Sequence, residues 1–294
     1  MTRGPMVQAA IADPVFDRPV ILLSPPRSGS TLLFETLALS PDLHTVGGES
    51  HRLIESMPEL RVDAHGYASN RLTAADATPA VVAELRARFR DHARDRDGRQ
   101  APPRFRLLEK TPKNALRIPF LREVFPDARF VYLHRDARQV LASMIDAWLS
   151  GRFRTYVHLP GWPHPAWSLV LTPGWQALAD APIERIVAAQ WASLTEVMLD
   201  DLSALPPERW CSVRYDALVT SPATQVPALC EAIGVRWDQP LDAGLRMSRN
   251  TLTPPDPHKW RRHAAVIEPL LDALEPTIAR AEQAAADAGV ARLG

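Results

Sequence analysis

Short apolar runs separated by turn residues set the rhythm of this chain. Residues 19–23 (PVILL) are followed by the polar loop SPPRSGS and then by TLLFETLAL, apolar at helical spacing. That order predicts a strand, a tight loop and a helix. Residues 104–109 (RFRLLE) and 129–134 (RFVYLH) are predicted as further strands, each leading into a helical segment, and 210–215 (WCSVRY) as a fourth. Strands alternating with helices predict a mostly parallel central sheet with helices on both faces, a three-layer α/β fold.

Three stretches depart from this alternation. Residues 84–99 carry six Arg among four acids and are predicted as a solvated helix running into a loop. Residues 151–175 hold four Pro and three Trp, with Trp148 just upstream, and cannot be one regular element. A long aromatic loop of this kind suggests a lid over an acceptor pocket, the alternative being an apolar plug at the sheet edge. From 264 to 291 an Ala/Glu/Leu-rich stretch predicts a C-terminal packing helix. Neither an internal repeat nor a linker divides the chain, so residues 1–294 are expected to form a single domain with its core over about 18–262.

The composition narrows the classes. At 46% hydrophobic and 23% charged, 294 residues can bury a sizeable core and are not disordered as a whole. Lys+Arg and Asp+Glu are both 34, and a net charge of zero argues against nucleic acid or a membrane surface as the main partner. Cys211 and Cys230 are too few for a disulfide scaffold or a cysteine metal cluster. Residues 1–19 lack the apolar core of a signal peptide, and no run reaches the ~20 apolar residues of a membrane span. A cytoplasmic enzyme is the expectation. Only Lys110, Lys113 and Lys259 are lysines among the 34 basic residues. In an arginine-dominated chain each is a candidate for a position that needs a compact ammonium.

The loop Ser24-Pro25-Pro26-Arg27-Ser28-Gly29-Ser30-Thr31 joins the first strand to the first helix. Free amides and the positive dipole end at a helix start form a phosphate site. Gly29 lets the backbone approach an anion, and the hydroxyls of Ser28, Ser30 and Thr31 add donors. The loop lacks both the first Gly and the Lys of G-x-x-x-x-G-K-[ST], which argues against a nucleoside triphosphate with magnesium. His134-Arg135-Asp136 imitates a kinase H-R-D without its companion motifs. The nine histidines show no zinc-binding spacing, so no metal is expected.

With these residues in view, PRSGSTLL resembles the 5′-phosphosulfate loop of the sulfotransferases that use 3′-phosphoadenylyl sulfate (PAPS) and release adenosine 3′,5′-bisphosphate. The segment FVYLHRDARQVLAS is similar to the second signature of that family, an Arg at a strand end with a Ser eight residues on. The resemblance implies that Arg135 and Ser143 hold the 3′-phosphate. RYDAL at 214–218 is similar to the segment whose Tyr lies near the adenine, which implicates Tyr215. SRNTLTPPDPHKW at 248–260 resembles the loop that closes over the nucleotide, implicating Lys259 with Ser248 or Thr251. It also implies a P-loop-type fold.

For catalysis, Lys110 in LLEKTPKN resembles the family's post-strand lysine and is implicated, with Arg27, at the leaving-group oxygen; Lys113 is expected at the surface. Cytosolic members carry a His two residues later, where this chain has Pro112. GGESHR at 47–52 is instead similar to the G-E-E-[ST] segment of tyrosylprotein sulfotransferases, with a one-residue shift. It implicates Glu49 as the base, with His51 as the alternative. Tryptophans near the pocket mouth suit a small-molecule acceptor, an apolar or aromatic alcohol, a lipid or a polyketide-like product, with a peptide tyrosine or a sugar as alternatives. The competing readings are a P-loop small-molecule kinase and a catalytically silent nucleotide-binding interaction module. A homodimer is compatible with the sequence, though nothing in it argues for one.

Overall fold

The computed structural model describes residues 13–241, 244–245 and 256–290. In chain order the elements are β1 (Val20–Leu23), α1 (Ser30–Leu37), β2 (Leu43–His44), α2 (His51–Glu55), α3 (Pro79–His92), β3 (Arg106–Lys110), α4 (Ile118–Val124), β4 (Arg129–His134) and α5 (Ala137–Ser150). After these come β5 (Arg154–Val157), β6 (Ala166–Ser168), α6 (Ile183–Ser203), β7 (Trp210–Arg214), α7 (Tyr215–Thr220), α8 (Pro222–Ile233) and α9 (Ala264–Asp287).

Five strands form a parallel sheet in the order β2-β3-β1-β4-β7. The central strand β1 shows why both faces must be covered. Val20 and Leu22 pack into one apolar core with Leu33 and Leu37 of α1 and with α8. Ile21 and Leu23 pack into another, with Phe89 of α3, Leu121 of α4 and Leu194 of α6. Alternate side chains of one strand thus serve two helical layers, which is the three-layer arrangement expected from the sequence. The chain leaves β1 toward β2 and β3 and later crosses to β4 and β7. The carboxyl ends of β1, β3 and β4 therefore flank a switch point, where open parallel sheets place their ligands.

Helix α3 begins five residues before the predicted stretch, where the Thr78 hydroxyl accepts from the Val81 amide, and it buries Val81, Leu85 and Phe89, while Arg86 folds over the Phe16 ring to pair with Asp13 and Arg90 is exposed. The packing helix near the C terminus is also present. α9 buries Ile267, Leu274, Ala281 and Ala285 despite prolines at 269 and 276, and its last turns accept hydrogen bonds from the Ser212 amide and hydroxyl of β7. Among the described residues no helix is long and apolar enough to cross a membrane.

The 151–175 segment is an antiparallel hairpin, β5 against β6, underlain by indoles. Trp167 and Trp175 are fully buried, and Trp162 lies 4.9 Å from Trp167, edge to face. Trp148 joins them at 5.1 Å. Each indole N–H has an acceptor: Gln190, Ala166, Val170 and Tyr67 for Trp148, Trp162, Trp167 and Trp175 in turn. These tryptophans make a closed cluster, so the sequence-based picture of indoles at the pocket mouth is corrected. An aromatic ring needs burial to contribute its area, and here the hairpin supplies it.

Candidate active site

A cavity of about 650 Å³ opens at the carboxyl ends of the sheet strands. Its floor is the β1–α1 loop, where Arg27 (φ 70°) and Gly29 (φ 99°) both take left-handed backbone. Gly29 is required twice over. Its φ disfavours any side chain, and a Cβ there would lie 2.4 Å from the Tyr215 ring. The turn aims the first amides of α1 into the cavity together with Ser30 and Thr31, which line it.

Three cations crowd one end. The Arg135 guanidinium stacks 4.2 Å from the Tyr215 ring centroid and donates to the Arg27 carbonyl at 3.2 Å and to Gln139 Oε1 at 3.0 Å. The Arg27 guanidinium lies 4.7 Å from the Phe153 ring centroid and donates to Ser143 Oγ at 3.3 Å. Lys259 lines the same wall. Burial and then the Arg135 charge push the Arg27 pKa down, while burial alone is the cause lowering Arg135. Lys259 is lowered by burial and then by Arg135 and Arg27. Buried cations in a common pocket, with Arg135 depressing Arg27 and both depressing Lys259, are arranged for a polyanion, because an anion relieves both desolvation and repulsion.

At the other side of the floor, Lys110 ends β3 at 2% exposure. Its Nζ donates to Glu49 Oε1 at 2.6 Å and to Thr31 Oγ1 at 3.1 Å. Glu49 Oε2 faces His51 Nδ1 at 3.7 Å. Burial, with the Lys113 charge, lowers the His51 pKa, favouring the neutral imidazole. The loop, the lysine and both candidate bases therefore meet in one place.

Beyond them stands an ion cluster absent from the sequence reading. Glu55 Oε1 accepts from Lys113 Nζ and from Arg117 Nη2, both at 2.7 Å. Burial raises the Glu55 carboxyl, but the Arg117 and Lys113 charges outweigh it and hold the pKa below the ordinary value. The Lys113 ammonium also lies 5.1 Å from the ring centroid of Tyr156, whose hydroxyl accepts from Asn70. Lys113, expected at the surface, is instead 8% exposed and lines the cavity. Its i+3 spacing from Lys110, across a turn of 3₁₀ helix (Pro112–Leu116), was the available signal.

Other expectations resolve individually. Ser28 is buried and lines a separate small cavity, with Tyr132 and His134 among its other lining residues, instead of the main one. From the 151–175 segment, Phe153–Tyr156 together with Leu169 and Val170 line the cavity, whereas Trp162, Trp167 and Trp175 do not. Ser248 and Thr251 lie outside the described residues. Lys259 and Trp260 precede α9 in a turn docked on α5, where Asp146 accepts from Arg262 and faces His263 at 2.9 Å, while Arg138 covers the Trp260 ring at 5.0 Å. Among the described residues no group of three or more His, Cys, Asp or Glu could hold a metal ion.

A parallel sheet whose first strand runs through a left-handed glycine turn into a helix defines the class of α/β proteins with a P-loop-type fold. The model of the sulfotransferase family matches residues 19–239, and the chain belongs to that family. Protein-tyrosine sulfotransferase A of Caenorhabditis elegans is 25% identical over 215 residues, 72% of this chain and 49% of the relative. A putative protein-tyrosine sulfotransferase of Caenorhabditis briggsae is 30% identical over 131 residues, 45% of this chain and 44% of that one. The chain thus spans about half the length of the curated relatives it matches. Among solved structures, a sulfotransferase from Alicyclobacillus acidocaldarius aligns at 15% identity and a TM-score of 0.47, covering 90% of this chain and 97% of that one.

Proposed function

We propose that the protein transfers the sulfuryl group of PAPS to the hydroxyl of a small acceptor. The observation that carries this reading is the convergence of Arg27, Arg135 and Lys259 with the Lys110–Glu49 pair on one cavity. Arg135, Ser143 and Lys259 would hold the 3′-phosphate, and Tyr215 would lie beside the adenosine. Arg27, Ser30, Thr31 and the α1 amides would hold the phosphosulfate end. In the transfer, a bond forms from the acceptor oxygen to sulfur while the bond from sulfur to the phosphate oxygen breaks, and its electron pair stays on that phosphate. Lys110, with Arg27, would stabilise the charge that builds there, and Glu49 would take the acceptor's hydroxyl proton. Adenosine 3′,5′-bisphosphate is the other product, and no step calls for a metal.

The acceptor end is mixed in character. Leu169, Val170 and Phe153 give it apolar surface, whereas Glu55, Lys113 and Tyr156 give it hydrogen-bonding groups. This supports a hydroxyl compound with polar as well as apolar parts.

The test is release of adenosine 3′,5′-bisphosphate from PAPS with a panel of hydroxyl acceptors. Lys110→Ala is expected to lower turnover by about 100-fold or more, the scale of losing one transition-state charge contact, while bisphosphate affinity changes far less. Equal losses in both would reduce Lys110 to a binding role. Bisphosphate binding without transfer to any acceptor would favour the silent binding module, and ATP-dependent transfer the kinase.

A further inference from the structure

Glu109 is the least exposed charged residue of the sheet, at 0%, and it does not line the cavity. It sits one residue before Lys110 on β3, so the two side chains leave opposite faces of the strand. Its Oε1 accepts three hydrogen bonds, from Ser50 Oγ at 2.5 Å, Thr111 Oγ1 at 2.8 Å and Asn114 Nδ2 at 3.0 Å. Thr111 Oγ1 in turn accepts from the Ser50 amide at 2.8 Å. Ser50 is therefore held to Glu109 twice, directly and through Thr111.

Ser50 follows Glu49 in the chain just as Lys110 follows Glu109. Two covalent neighbours are thus paired with two covalent neighbours: Ser50 with Glu109 behind the strand end, Glu49 with Lys110 in front of it at 2.6 Å. Between Thr45, which exchanges two backbone hydrogen bonds with Arg94, and the five-residue α2, the segment bearing Glu49 belongs to no strand or helix.

We infer that Glu109 is a positioning residue that, through Ser50 and Thr111, fixes Glu49 against Lys110 for the chemical step. The inference rests on the sulfotransferase reading for its catalytic consequence, though not for the clamp itself. Because Glu109 acts as an acceptor in a site closed to water, an uncharged isostere that keeps the accepting oxygen serves as well. Burial pushes its carboxyl pKa up, in the same direction.

The experiment compares Glu109→Ala, Glu109→Gln and Ser50→Ala with the wild type by two readouts. The first is kcat for sulfuryl transfer beside the dissociation constant of adenosine 3′,5′-bisphosphate. Glu109→Ala is expected to lower kcat about 100-fold, the effect of misplacing a reacting group by an ångström, with bisphosphate affinity within about threefold. Glu109→Gln restores most of the rate, and Ser50→Ala falls between.

The second readout is independent of transfer. It is the rate at which an amine-reactive ester labels Lys110, read by mass spectrometry against Lys259 in the same chain, which has only three lysines. Glu109→Ala is expected to speed Lys110 labelling about tenfold, since an unsatisfied buried cluster opens its neighbours. Should Glu109→Ala fail to fold, Ser50→Ala, which removes one bond, carries both readouts. Unchanged labelling and kcat, or a Gln variant as impaired as Ala, would overturn the inference. A wild type that transfers nothing while Lys110 is unmasked in Glu109→Ala would remove the catalytic claim and the sulfotransferase reading together, and would leave only the clamp.

Discussion

At the scale of the residue, the site turns on steric and charge demands that few side chains meet. Gly29 lies beneath Tyr215 in a left-handed turn. Gly29→Ala is expected to cost about 1–2 kcal/mol in backbone strain alone and, by displacing Tyr215, to abolish stabilisation by nucleotide; calorimetry with and without the bisphosphate checks both. Glu55 gives a pH signature. Its folded pKa lies below the ordinary 4.5. The stability it contributes is therefore fully present above about pH 4.5 and is lost as pH falls through the lowered folded value. Glu55→Gln should flatten that acid limb and, by leaving Lys113 and Arg117 without their counter-charge, cost about 3 kcal/mol at neutral pH. Denaturant unfolding between pH 3 and 7 measures it, and a variant with an unchanged acid limb would contradict the assignment.

At the scale of the element, two devices carry the cavity walls. The turn over Lys259–His263 brings Lys259 to the anion end because Asp146 of α5 holds Arg262 and His263. Asp146→Ala should therefore weaken bisphosphate binding by about three- to tenfold, the loss of a partly exposed ion-pair network, with kcat little changed. Titration calorimetry reads this directly, and unaltered affinity would mean the turn is held otherwise. The β5–β6 hairpin is fixed by its indole cluster, and Trp167→Ala is expected to destabilise the fold by about 3–5 kcal/mol.

The hairpin also marks where the sequence stopped being legible. Four sheet strands could be read because each carries adjoining apolar residues, as Leu107 and Leu108 do in β3 and Trp210 and Cys211 in β7, but β2 is two residues long and carries no pattern. Proline and tryptophan in 151–175 announced an irregular segment without saying which side the indoles face. In the candidate site, the β1–α1 loop, Arg135, Lys110 and Glu49 were legible because each falls beside a strand or helix terminus, and Ser143, within α5, through its spacing of eight from Arg135. Lys113, Glu55 and Glu109 were not, since their importance comes from burial, which the linear pattern of a charged residue conceals.

At the scale of the whole molecule, a chain of zero net charge gathers three of its 34 cations, Arg27, Arg135 and Lys259, at one end of one cavity. Ligand affinity should then depend on salt as though the protein were basic, falling steeply between low and physiological ionic strength. A thermal-shift titration with adenosine 3′,5′-bisphosphate, run beside ADP, AMP and ATP, tests the central claim most directly. At about 100 times its dissociation constant a site-specific ligand stabilises a fold by about 2.7 kcal/mol. The arrangement of Arg27, Arg135 and Lys259 predicts a large shift with the bisphosphate, smaller ones with AMP and ADP, and loss of the difference in Arg135→Ala. Equal or greater stabilisation by ATP would contradict it.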